Sequence, residues 1–74
     1  ITYDIPEVAE VRLDIYNVAG QKVRTLTQGL HEPGRYRIQW NATNDFGQQL
    51  SSGMYIYRIV AGDFVSVKKL ILMK

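Results

Sequence analysis

Cysteine is missing from all 74 residues, so neither a disulfide framework nor a thiolate metal site can be built. Histidine occurs once, at His31, which removes any multi-histidine metal cluster. Charge of one sign is scarce too. Nine Lys and Arg against seven Asp and Glu leave +2, too small a surplus to point to nucleic acid. No uncharged apolar run approaches the roughly 18 residues of a membrane span. No signal peptide is visible, because the chain opens on Ile1 already inside an alternating pattern. No Gly-rich phosphate loop occurs; the glycines fall at turn positions. These absences point away from an enzyme, a cofactor or a metal centre. They leave a binding module, a structural module or an address.

What is present reads as strands. The hydrophobic fraction is 46%, too high for a disordered chain. Period 2 dominates, and period 3.6 never persists for two turns. Ile1, Tyr3 and Ile5 alternate with Thr2 and Asp4 until Pro6, which lacks a ladder donor, ends the run. Val11, Leu13 and Ile15 form a buried face, with Arg12, Asp14 and Tyr16 on a wet one. Asn17 to Gly20 is a turn with Gly20 in the left-handed position. A third strand covers residues 22–27. Residues 28–34 are a break, with Pro33-Gly34 suited to a type II turn. A fourth strand covers residues 35–40, placing Tyr36, Ile38 and Trp40 on one side.

Residues 41–53 are polar and too long for a tight hairpin, so they cross between sheets, with Leu50 as a short strand or an anchoring plug. Residues 54–61 are almost wholly apolar and read as a central strand. Gly62-Asp63 suits a two-residue type II′ hairpin turn. Residues 64–74 form the last strand. Val65 and Val67 have one parity, Leu70 and Leu72 the other, so a bulge at Lys68-Lys69 is expected. Six or seven short strands without a helix predict an all-β antiparallel sandwich, one domain over residues 1–74.

Few residues suggest chemistry. His31 sits in a polar segment with no nucleophile beside it and reads as an ordinary exposed loop histidine. Asn41, Thr43, Asn44 and Asp45 offer oxygen atoms, but a single carboxylate is thin for calcium. Side chains bonding backbone amides are the simpler role. Asn41-Ala42-Thr43 matches the N-glycosylation pattern, which is common by chance. Among eight aromatics, parity places Tyr3, Tyr36 and Trp40 in the core, leaving Tyr16 and Phe46 as the best candidates for exposure. The basic residues near the end are Arg58, Lys68, Lys69 and Lys74, and lysine on an edge strand is by itself edge protection.

Longer blocks carry a family resemblance. Residues 15–26, from Ile15-Tyr16-Asn17 through Gly20-Gln21-Lys22-Val23-Arg24-Thr25-Leu26, resemble the "IYDxxGrxVrtL" block of type A C-terminal sorting domains. These domains belong to the bacterial type IX (Por) secretion system. Gly34 to Trp40 is similar to their "GxxxxxW" stretch, and Ser52-Gly53-Met54-Tyr55-Ile56-Tyr57-Arg58 to their "sGxYxyr" block. Lys69-Leu70-Ile71-Leu72-Met73-Lys74 resembles their terminal basic-apolar-basic block. Similar blocks occur in the immunoglobulin-like domain of the flagellar hook-capping protein.

The resemblance implies a small immunoglobulin-like β-sandwich that acts as an address rather than a catalyst. A cargo domain would precede it in the same chain, exported to the periplasm and then to the cell surface or beyond. Its implied partners are the outer-membrane translocon and a cell-surface processing protease, with Gly53, Tyr55, Lys69 and Lys74 as recognition residues. No cofactor, nucleic acid or membrane span is expected. Family members carry an Asn-Pro-rich segment before the first strand; here the chain opens inside that strand, so a trimmed N-terminal edge is expected. A carbohydrate-binding module and a structural spacer are the alternatives.

Overall fold

The computed structural model describes residues 1–73. The described residues form six strands: β1 (Thr2–Ile5), β2 (Ala9–Tyr16), β3 (Lys22–His31), β4 (Gly34–Arg37), β5 (Gly53–Ala61) and β6 (Phe64–Leu72). All pairings are antiparallel. One sheet has the order β3-β2-β5-β6, and a second consists of β1 and β4. This is the all-β architecture of a small immunoglobulin-like sandwich.

Alternation explains the layering. Val11, Leu13 and Ile15 of β2 are at most 1% exposed, and Ile59 and Ala61 of β5 join them from the next strand. Ile5 closes the core from the small sheet, with Tyr3, Tyr36 and Ile38 packed around it. Together these apolar faces exclude water at the expected interlayer spacing of about 10 Å. Polar Thr2, Asp4, Arg35 and Arg37 take the opposite face of β1 and β4 and are exposed.

The turns follow their sequences. Gly20 has φ 82°, and its N–H donates to the Asn17 carbonyl at 3.0 Å. Gly62 has φ 60°, as the first position of a type II′ turn requires, and Ala61 pairs directly with Phe64. Residues 41–52 cross from the small sheet to the large one. Leu50 is half-buried and donates its N–H to Ala42 at 2.8 Å.

Several expectations need correction. The fourth strand, expected over residues 35–40, runs Gly34–Arg37. The break expected over residues 28–34 is mostly strand. β3 runs on to His31, because Gln28, Gly29, Leu30 and His31 pair with Arg12, Val11, Glu10 and Ala9. Gly34 has φ 154°, far from the roughly +80° of a type II turn, so the chain bends there and enters β4 directly. The bulge expected at Lys68-Lys69 is absent: pairing with β5 runs unbroken from Phe64 to Leu72. Ser66, Leu70 and Leu72 therefore face inward, and Val65, Val67 and Ile71 stand on the outer face. The bulges lie instead in the β2–β3 ladder, at Leu13/Asp14 and Ile15/Tyr16. Finally, Asp14 is 5% exposed rather than wet. Its carboxylate accepts from Arg12 Nε at 2.8 Å and from the Thr25 hydroxyl at 2.7 Å.

Candidate functional site

In a small sandwich the sheet edges are candidate sites. An outer strand leaves alternate N–H and C=O groups without partners. In the large sheet the two edges are treated differently. The crossing loop is stapled along β3. Asp45 N–H donates to the Val23 carbonyl at 3.0 Å, and Asp45 Oδ1 accepts from Thr25 N–H at 3.0 Å. Arg24 reaches the Thr43 hydroxyl at 2.7 Å and the Asn44 carbonyl at 2.9 Å. Trp40 Nε1 adds a bond to the Thr43 carbonyl at 3.0 Å.

β6, at the opposite edge, has β5 on one side and, among the described residues, no strand on the other. In a two-residue hairpin the closing pair is hydrogen-bonded, and bonded pairs then alternate. Phe64, Ser66, Lys68, Leu70 and Leu72 thus bond to β5. The N–H and C=O of Val65, Val67, Lys69 and Ile71 point to the open edge. Their side chains also share the outer face. Val65 is 50%, Val67 58% and Ile71 60% exposed. Exposed Lys69 stands between Val67 and Ile71, opposite Ile56.

The residues expected to act in recognition are not brought together. Tyr55 is buried, donates its hydroxyl to the Ser51 carbonyl at 2.8 Å, and meets Trp40 edge-on at 5.3 Å. It faces inward, beside Leu70. Gly53 opens β5 with φ 152°, where no side chain would clash but few L residues sit. Lys69 lies on the outer face, and Lys74 lies outside the described residues.

Other candidates resolve into structural roles. Asn41 Oδ1 accepts from the Thr43 hydroxyl at 2.6 Å, and Asn44 Oδ1 accepts from the N–H groups of Phe46 and Gln48. These oxygens brace a loop, as the simpler reading expects. Phe46 is 87% exposed, whereas Tyr16 is half-buried.

His31 is no exposed loop residue. It ends β3, half-buried, with Nδ1 3.2 Å from the Gly29 carbonyl and Nε2 3.1 Å from the Tyr3 hydroxyl. A carbonyl only accepts, so the neutral ring carries its proton on Nδ1 and Tyr3 donates to Nε2. Tyr36 stacks on Tyr3 at 5.4 Å. Burial pushes the Tyr3 phenol pKa above its ordinary value, and Tyr36 adds to that shift. The expected strand 28–34 break hid this trio, since only a longer β3 carries His31 to β1.

One repeated signal was also missed. Asn17-Val18-Ala19-Gly20-Gln21 and Asn44-Asp45-Phe46-Gly47-Gln48 share the spacing N-x-x-G-Q. They also share a fold. In each, Asn Oδ1 caps two backbone N–H groups, Asn Nδ2 donates to Gln Oε1 at 2.9 Å, and the glycine has φ near 80°.

Against known proteins, the family model of the FlgD Ig-like domain matches residues 1–63. The chain belongs to the FlgD Ig-like domain family. The matched span covers β1 to β5 and ends in the turn before β6. No curated protein and no solved structure matches the chain. Membership of the FlgD Ig-like family agrees with the sandwich and with the hook-capping resemblance in the sequence. The finer sorting-domain resemblance rests on the sequence blocks, the last of which lies beyond the matched span.

Proposed function

We propose that this domain is a non-catalytic secretion address. It directs an attached N-terminal cargo across the outer membrane through the type IX translocon, and β6 is the strand that the translocon reads. The observation that carries the reading is the open edge of β6. Four alternate backbone positions that point away from β5, at Val65, Val67, Lys69 and Ile71, form a template for strand addition, with exposed Val65, Val67 and Ile71 side chains beside them. Lys69 on the same face would steer approach to an acidic receptor surface and fix register. Support also comes from the four sequence blocks, which occur in the family order. Under this reading the domain passes through the periplasm, meets a surface protease after translocation, and ends at the cell surface or outside.

The test is a fusion of residues 1–74 behind an export signal and a fluorescent reporter. It is expressed in a host with type IX secretion and in its translocon-deficient mutant. Reporter outside the first host and trapped in the periplasm of the second is expected. Replacing Lys69 and Lys74 together by Gln lowers export while thermal unfolding stays unchanged. Reporter held in the periplasm of both hosts, with the domain folded, overturns the proposal and favours a spacer.

A further inference from the structure

A second hydrogen-bonding edge is open, in the small sheet. Ile1 and Ile38 exchange both backbone bonds, at 2.9 and 2.8 Å. Bonded pairs alternate along an antiparallel ladder, so Tyr3 and Ile5 also turn their N–H and C=O toward β4. The backbone groups of Thr2 and Asp4 point the other way. They overlook a groove of about 270 Å³, floored by Tyr57 and Ile59 of β5 and by Phe64, Ser66 and Lys68 of β6. A hollow of about 550 Å³ continues past Ile5 and Phe64, between residues 4–9 and 61–64.

We propose that this groove takes one extended strand of a partner polypeptide, hydrogen-bonded antiparallel to β1 at Thr2 and Asp4. The small sheet has two strands over a four-stranded layer, and on the inner face of β6 Phe64 and Lys68 stay exposed. Phe64 is 59% exposed there, although it pairs with buried Ala61. A strand added beside β1 lies about 4.8 Å further along the sheet, above β6. Its inward side chains meet Phe64 and Ser66. This is strand addition to a sheet edge, with backbone bonds supplying affinity and alternate side chains supplying selectivity.

Geometry and charge select the occupant. A second copy paired through β1 about a two-fold axis would place its own β5 where β6 already lies. A lone strand fits, and a second folded sandwich does not. Lys68 projects from the inner face of β6 and has no ion pair among the described residues. Glu7 and Asp63 line the other end of the channel. β1 runs from the Lys68 end toward Asp63. An antiparallel partner therefore enters with a basic residue, continues with alternating apolar residues, and leaves with a carboxylate against Lys68.

The experiment is an NMR titration of residues 1–74 with the blocked hexapeptide Lys-Val-Thr-Val-Ser-Glu. Saturable shifts are expected at the amides of Thr2, Asp4, Ser66 and Lys68. Lys68→Glu weakens binding about fivefold, the worth of one exposed ion pair. Exchanging the peptide's Glu for Lys restores it, which a merely misfolded variant would not do. Three results overturn the proposal: no saturable shift at millimolar peptide, shifts confined to Val65, Val67, Lys69 and Ile71, or a sedimenting dimer that displaces the peptide. Failure here leaves the secretion reading standing, because that reading uses the open edge and outer face of β6 rather than β1 and the inner face.

Discussion

At the scale of single residues, polar side chains do much of the folding. The two N-x-x-G-Q turns each satisfy two backbone donors with one amide oxygen. Replacing Asn44 by Ala strands both donors and should cost about 1–2 kcal/mol. Thermal denaturation should then show a midpoint lower by roughly 5–10 °C, and Asn17→Ala should do the same. Tyr3 makes a pH prediction. Its phenol holds its proton more tightly in the folded state than the ordinary value of 10.0 allows. Between pH 10 and the raised pKa the unfolded chain binds fewer protons, so stability falls as pH rises through that window. Denaturant unfolding at pH 9 and pH 11 should show the loss, and Tyr3→Phe should lessen it. The Asn turn at 17–20 was legible because Asn and Gly carry turn chemistry in their own side chains and backbone. Buried Asp14 was not. Strict alternation assigns it to solvent, and only the spatial neighbours Arg12 and Thr25 explain its burial.

At the scale of elements, β1 and β2 were legible because their apolar residues keep one parity and fill one core, and β5 because it is almost wholly apolar. β3 beyond Thr27 was not, since Gln28 and Gly29 have weak strand propensity and pairing with β2 overrides it. β6 misled for a related reason. The opposite parities of Val65 with Val67 and Leu70 with Leu72 suggested two buried pairs and hence a bulge, whereas the ladder leaves the valines outside. That exposed set is what makes β6 a recognition strand in this account. Val67 has an N–H that faces away from β5, so proline there removes a donor without breaking the ladder. Val67→Pro should keep the fold, with a stability loss within about 1 kcal/mol, and abolish export of a fused reporter. Export at the wild-type level would remove backbone pairing from the mechanism.

At the scale of the whole molecule, a small core supports long edges. Leu13 is completely buried between Ile5, Val11 and Ile59. Leu13→Ala should cost about 3 kcal/mol, a large share of what a domain this small possesses. Circular dichroism should show a population unfolded at or near room temperature. The sandwich was legible from composition and turn spacing. Which edges stay open depends on pairings between residues far apart. The crossing loop covers β3 at Val23 to Thr25, while among the described residues β1 and β6 have no such cover.

Amide hydrogen exchange measured by NMR tests that claim most directly. The account predicts an alternation. Ser66, Lys68 and Leu70 should exchange slowly, and Val65, Val67, Lys69 and Ile71 fast. Tyr3 and Ile5 should likewise be slow beside fast Thr2 and Asp4. Uniform protection along β6, or the reverse alternation, would mean that the edge is covered or shifted by one residue, and would contradict the account.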